Sequence, residues 1–193
     1  MPDIPLDNIG GLSCEPIGGI EAEFIFAEHG DFTTIEDPKE LCGDSADAAA
    51  SLEELVTIAA TPGHTLKPGK KFNVIPIVLE TGEVTTTMIG EKERRLMQNQ
   101  VLFQIAGSDA SVLGFMRYIK NKRIIGMIRE VGSGRLRQFG SKRLPAWVEA
   151  QEHKIEATLE GNNSLTYTLM DKQKWPAPIY LGDVVTTVPP VGG

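Results

Sequence analysis

Ile20, Ala22, Phe24 and Phe26 alternate with Glu21 and Glu23, and a two-residue period of this kind predicts a half-buried β-strand. The period returns at Val101, Phe103 and Ile105. It appears twice more around the turn sequence EGNN, with Ile155, Ala157 and Leu159 before it and Leu165, Tyr167 and Leu169 after it. This reads as a hairpin with both apolar sets directed inward, because a slip of one residue would expose them all. Residues 71–79, KFNVIPIVL, read as a strand that ETGE turns and VTTTM returns, which predicts another hairpin. Pro76 cannot donate to a ladder, so it places this strand at an edge or a bulge. RIIGMIRE, VGSG and RLRQF predict a third hairpin, with Arg135 and Arg137 emerging on the face of Phe139. One stretch has a different period. Val112, Phe115, Met116 and Ile119 fall at i, i+3, i+4 and i+7, which predicts a helix over residues 109–121 with Asp109 at its start and Arg117 and Lys120 in its last turn.

Between these elements the chain has little periodicity. Residues 1–19 combine Pro2, Pro5 and Pro16 with four glycines and read as an extended N-terminal arm. Residues 28–50 are acidic, small and rich in breakers, so a long loop is expected, followed by a short turn at Ser51–Glu54. Residues 183–193 read as a C-terminal tail. The predicted fold is mainly β: an antiparallel β-sandwich or barrel-like domain over residues 20–182, with one flanking α-helix and extended terminal arms. A chain of 193 residues is long enough to bury one such core.

Charge is unevenly distributed beneath a net of −7. Residues 1–66 hold fourteen carboxylates against Lys39 alone, whereas residues 117–143 hold nine lysines and arginines against Glu130 alone. Opposite blocks can neutralise each other within one fold, mate head to tail between copies, or, for the basic block, follow a nucleic-acid backbone. A pI near 5.0 argues against the last. The residues expected at a subunit interface are therefore Arg117, Lys120, Arg123, Arg129, Arg135, Arg137, Lys142 and Arg143 on one side. Asp37, Glu40, Asp44, Asp47, Glu53 and Glu54 are expected on the other.

The motifs offer no chemistry to set against that reading. Gly140-Ser141-Lys142 reverses the order of a phosphate-binding loop and is soon followed by Pro145, while Gly132-Ser133-Gly134 lacks the third glycine of a dinucleotide fingerprint. Gly43-Asp44-Ser45 has no histidine in a recognisable base motif, and the acidic neighbours of Cys42 disfavour its thiolate. His29, His64 and His153 stand singly without zinc-ligand spacing. No enzyme activity, metal or cofactor is expected. Cys14 and Cys42 are expected to be reduced, and Trp147 and Trp175 to serve the core or an interface. No run approaches the roughly 20 apolar residues of a membrane span, and the polar, acidic start lacks the layout of a secretion signal, so synthesis in a cytoplasm is expected.

The order strand, LKPGKKF, ETGE, strand, single helix, RIIGMIREVGSGRLRQFGSKRLPAW, hairpin, PAPIYLG resembles the tail tube (major tail) proteins of tailed bacteriophages and prophages, over roughly residues 55–182. The first 54 residues lie outside the resemblance. It implies a protomer that closes into hexameric rings, stacked head to tail as the hollow tube of a virion tail and assembled in the host cytoplasm. Its implied partners are further copies of itself, other virion proteins, and DNA that passes through the lumen without specific binding. Residues 1–19, 28–50 and the tail from Asp183 onward would bridge neighbours. Two other readings remain: another self-assembling virion component such as a head decoration or connector protein, and a nucleic-acid-binding module built on Arg129, Arg135 and Arg137.

Overall fold

A computed structural model describes residue 4 and residues 17–42, 47–158, 161 and 163–187. Along the chain it forms β1 (Ile20–Glu28), β2 (Phe32–Thr34), β3 (Thr57–Ile58), β4 (Thr65–Leu66), β5 (Asn73–Pro76), β6 (Glu83–Ile89) and β7 (Leu96–Ala106). There follow α1 (Ala110–Ile119), β8 (Ile124–Glu130), β9 (Leu136–Phe139), β10 (Trp147–Ile155), β11 (Asn163–Gln173) and β12 (Ile179–Tyr180). With 45% strand and 8% helix the fold is mainly β, sandwich-like, and not a closed barrel.

The strands divide into a six-stranded sheet ordered β3-β12-β9-β8-β1-β5, a four-stranded sheet ordered β10-β11-β7-β6, and the pair β2-β4. All named pairings are antiparallel except β3 with β12. The six-stranded sheet is the middle layer. On its front, Phe24, Phe26, Ile124, Ile128 and Phe139 pack against Val101, Phe103, Leu165, Tyr167 and Leu169 of the four-stranded sheet. On its back, Ile25, Ala27, Ile58, Ile125, Met127, Leu136 and Tyr180 pack under Phe32, Ile35 and Phe72. Successive side chains of a strand point to opposite faces, so the unbroken apolar run Ile124–Ile128 supplies both cores at once.

Three expectations are corrected here. KFNVIPIVL and VTTTM do not form a hairpin: β5 pairs with β1 in the middle sheet and β6 with β7 in the front sheet, so the ETGE segment carries the chain from one layer to the other. Pro76 does lie on an edge strand. The strand expected around Ile155, Ala157 and Leu159 is displaced: β10 runs Trp147–Ile155 and pairs Ile155 with Asn163, so Ile155 is 65% exposed at the strand end and Ala157 lies beyond it. The inward positions that face Tyr167 and Leu165 are filled by Gln151 and His153. The acidic segment is not a free loop, since Phe32, Ile35 and Ala49 are buried and β2 pairs with β4.

α1 begins after Asp109, which has the extended backbone of an N-cap but makes no side-chain cap bond. Only Ile119 of the helix is buried; Val112, Phe115 and Met116 pack partly against the front core. The two chain ends are anchored where described. Gly19 C=O accepts Val131 N–H at 3.1 Å, and Val185 C=O accepts Phe72 N–H at 2.9 Å.

Two glycines report the difference in packing between the middle sheet and the helix. A Cβ at Gly126 would stand 2.7 Å from Phe24 Cζ and 2.8 Å from Leu169 Cδ2, whereas nothing lies within 4 Å of one at Gly114. Gly126→Ala should destabilise the protein by about 1–3 kcal/mol through overpacking. Gly114→Ala should stabilise it by up to about 1 kcal/mol through helix propensity. Urea denaturation of both variants measures the contrast, and equal effects would contradict this packing.

Candidate functional site

The charged residues singled out from the sequence fall into two groups, those satisfied within the protomer and those left facing water. At the β8–β9 end, Gly134 has φ 66° and its N–H bonds Glu130 C=O at 3.0 Å, closing VGSG as a hairpin turn. Glu130 accepts Arg137 Nε at 2.5 Å and the Ser133 hydroxyl. Burial pushes the Glu130 carboxyl up, but the Ser133 and Arg137 bonds prevail and hold it below its ordinary value. Arg137 also donates to Ala177 C=O at 3.2 Å. Arg129 pairs with Glu21 at 3.3 Å. Arg135 is exposed and makes no ion pair among the described residues.

The acidic residues are engaged in the same way. Glu54 pairs with Lys39 at 2.9 Å and accepts Ala50 N–H at 2.7 Å; Glu40 pairs with Lys174 at 2.8 Å. Asp37 accepts the backbone N–H of Lys142 at 3.1 Å, which sets acidic segment and basic block side by side. Part of the charge polarity is therefore neutralised inside one molecule. Asp47 and Glu53 are exposed and unpaired among the described residues. Asp44, with Gly43 and Ser45, lies outside the described residues, as does Cys14, while Cys42 is an exposed free thiol.

At the opposite end of the middle sheet, Arg123 joins α1 to β8, and its C=O accepts His29 N–H at 2.8 Å. Lys142 C=O lies 3.0 Å from His29 Nε2, which brings the 120–123 and 141–144 turns together at this end. Arg117, Lys120, Arg123 and Arg143 are exposed there without an ion pair among the described residues, and the Lys142 ammonium is likewise unpaired. Beside Arg117 and Lys120, the Glu28 carboxylate is already engaged by Tyr118 and by Lys122 at 2.9 Å. Those bonds hold its carboxyl below the ordinary value.

The other exposed feature is an edge. The front sheet ends in β10 on one side and β6 on the other. β10 is guarded, with a register shift between Val148 and Ala150 and with Glu149, Glu152 and Lys154 along it. β5, the long edge of the middle sheet, carries Pro76. β6, EVTTTMI, has neither proline, lysine nor bulge; its seven residues run in unbroken register with β7, and Met88 is 55% exposed. Sequence reading missed this edge because it gave VTTTM a partner in KFNVIPIVL. The available signal was the run of three threonines without a guarding charge.

Among the described residues, no helix is long and apolar enough to cross a membrane. Compared with protein-family models, curated proteins and solved structures, the chain matches none.

The pairing pattern separates two neighbouring arginines. Arg137→Glu sets a second carboxylate against Glu130 and should cost about 1–3 kcal/mol of stability. Arg135→Glu breaks no ion pair and removes only the longer-range attraction of Arg135 for Glu130, so it should cost clearly less, below about 1 kcal/mol. Thermal unfolding of the two variants at equal ionic strength checks this; equal destabilisation would mean that the Glu130 pair does not form.

Proposed function

We propose that the chain is a structural subunit that assembles with copies of itself, and that it acts as a tail tube protein of a bacteriophage or prophage virion. The observation that carries self-assembly is the outer edge of β6, which pairs with no strand among the described residues. An edge strand presents a row of unpaired N–H and C=O groups, and proteins that remain monomeric blunt such edges with lysine, proline or bulges. β10 and β5 are blunted within their length, whereas β6 carries a charge only at its first residue, Glu83. Pairing β6 with a strand of a neighbour satisfies this row and, repeated around an axis, closes a ring. The exposed cations Arg117, Lys120, Arg123 and Arg143 at one end, with Arg135 at the other, would then orient the copies. The particular choice of tail tube rests on the order of elements and turn motifs read from the sequence.

Lysines guard an edge without disturbing its core face. Thr85 and Thr87 lie opposite Gln100 and Gln98, on the face away from Val84 and the core. Thr85→Lys combined with Thr87→Lys should leave the protomer folded and abolish assembly. Sedimentation velocity and negative-stain microscopy read the result: rings or tubes from the parent chain and monomers from the variant. A parent chain that stays monomeric across protein concentration and salt would overturn the reading, and so would rings that survive the double substitution.

A further inference from the structure

One end of the middle sheet concentrates positive charge that the net of −7 conceals. The backbone at His29–Asp31 draws two basic turns together there. His29 N–H donates to Arg123 C=O at 2.8 Å, and Asp31 C=O accepts Lys67 N–H at 2.8 Å. The 67–71 turn therefore lies beside the C-terminal end of α1. A cleft of about 510 Å³ separates them, with Lys70 and Lys71 on one wall and Tyr118 on the other. Residues 67–71 and 117–123 hold seven lysines and arginines and no Asp or Glu. The carboxylates that reach them each hold one ammonium already: Asp31 pairs with Lys70 at 2.7 Å, and Glu28 with Lys122 at 2.9 Å. Seven charges against two leave an excess of five. Lys67 donates to Gly30 C=O at 2.6 Å, a bond that satisfies its ammonium without cancelling its charge. Lys71, Arg117, Lys120 and Arg123 are exposed and form no ion pair among the described residues. Toward Lys142 and Arg143 the field weakens, because Asp37, Glu40 and Asp47 share their cleft.

We propose that this end, formed by the 67–71 and 117–123 turns, is a face that binds the phosphate backbone of a nucleic acid. The face follows from the fold alone and does not depend on the assembly reading, since pairing along β6 uses a flank of the front sheet and leaves this end uncovered.

Two observations favour a nucleic acid over an acidic protein surface. The centre of a protein–protein interface is apolar and depleted in charge, whereas interfaces with nucleic acids are polar and strongly positive. Within these two turns Tyr118 is the one large exposed hydrophobic residue. A second copy, moreover, has few anions to bring into contact. Of the acidic segment's described carboxylates, Asp37, Glu40 and Glu54 are engaged within the protomer, while Asp47 and Glu53 remain exposed and unpaired. Attraction at a distance is enough to orient copies, but filling this face requires an anion for each free cation, and a nucleic acid supplies one with every phosphate. Arg129 and Arg137, the nucleic-acid candidates of the sequence, are held by Glu21 and Glu130 at the opposite end, and a pI near 5.0 averages over the whole chain and says nothing of one face. Contacts to phosphates carry no base sequence, so the binding is independent of sequence.

Fluorescence anisotropy of a labelled DNA duplex of about 20 base pairs, with an oligo-dT strand of the same length as a second arm, tests this on the intact chain from about 50 to 300 mM NaCl. Engagement of the four free cations should give a slope of log affinity against log salt of about −3 to −4. Lys120→Glu combined with Arg123→Glu, neither of which has an ion partner to lose, should weaken binding at least about tenfold and reduce the slope by about 2. Lys71→Glu, on the separate turn, should weaken it in the same direction and decides the matter should the double variant fail to fold. Arg135→Glu, a charge reversal at the opposite end, should change affinity by less than about twofold. Failure to bind either DNA at the lowest salt, or a loss of binding shared equally by Arg135→Glu, would overturn the face. Poly-glutamate that binds as tightly as DNA of equal charge would overturn it too, and would assign this end to an acidic protein.

Discussion

β1 and β8 sit in the middle sheet with both faces removed from water, and that demand shapes the rest of the chain. Ile25, Phe26, Ile125, Met127 and Ile128 are all buried, on alternating faces. Each such side chain contributes about 1.5–3 kcal/mol only if a cover exists on its own side. The front cover is regular, a four-stranded sheet with its own apolar alternation. The back cover is assembled from Phe32, Ile35, Leu66 and Phe72, scattered through a segment rich in acidic and small residues. The acidic block is thus tied to the body by the same residues that complete the core, and its carboxylates are left at the rim, where they meet the basic turns.

That arrangement ranks the forces available for the proposed assembly. Exposed ion pairs contribute about 0–1 kcal/mol each and weaken with salt. Several of the basic and acidic residues, Arg129, Arg137, Glu40 and Glu54 among them, are moreover committed within the protomer. Charge can orient approaching copies but cannot by itself hold a polymer together. A strand edge supplies backbone bonds in a fixed register, repeated identically in every copy, so β6 is the stronger joint and the free cations are the guide.

The sequence was legible where periodicity and neighbourhood coincide. The hairpin β8–β9 and the helix α1 have both a period and a turn or cap next to them, so local rules locate them, whereas β10 runs Trp147–Ile155 and ends where the strand expected around Ala157 should lie. Period alone says which face of a strand is apolar and nothing about its neighbour, and for that reason β5 and β6 were joined when they belong to different layers. The back cover was illegible for another reason: its four apolar contacts span Phe32 to Phe72 with no repeat, and only the buried underside of β8 reveals what they are for. Asp171 left a faint trace, a carboxylate continuing the inward series Leu165, Tyr167, Leu169.

Why a carboxylate occupies that core position follows from counting donors. Two N–H groups, from Asn99 and Gly140, point at the two separate oxygens of Asp171. An asparagine offers one acceptor oxygen, so one donor would face its own amide nitrogen, and a leucine would leave both donors unsatisfied at about 1–3 kcal/mol each. The ionised acid satisfies both, but burying its charge without a cation is costly. The raised pKa is the direct expression of these opposed terms: the geometry favours the carboxylate, the surroundings favour the acid, and the balance falls within reach of ordinary pH. A core that needed only to be stable could have dispensed with this residue by closing the β9–β10 turn differently. What the carboxylate adds is a connection, through Gly140, Gln138 and His64, between the front sheet and the acidic segment on the back.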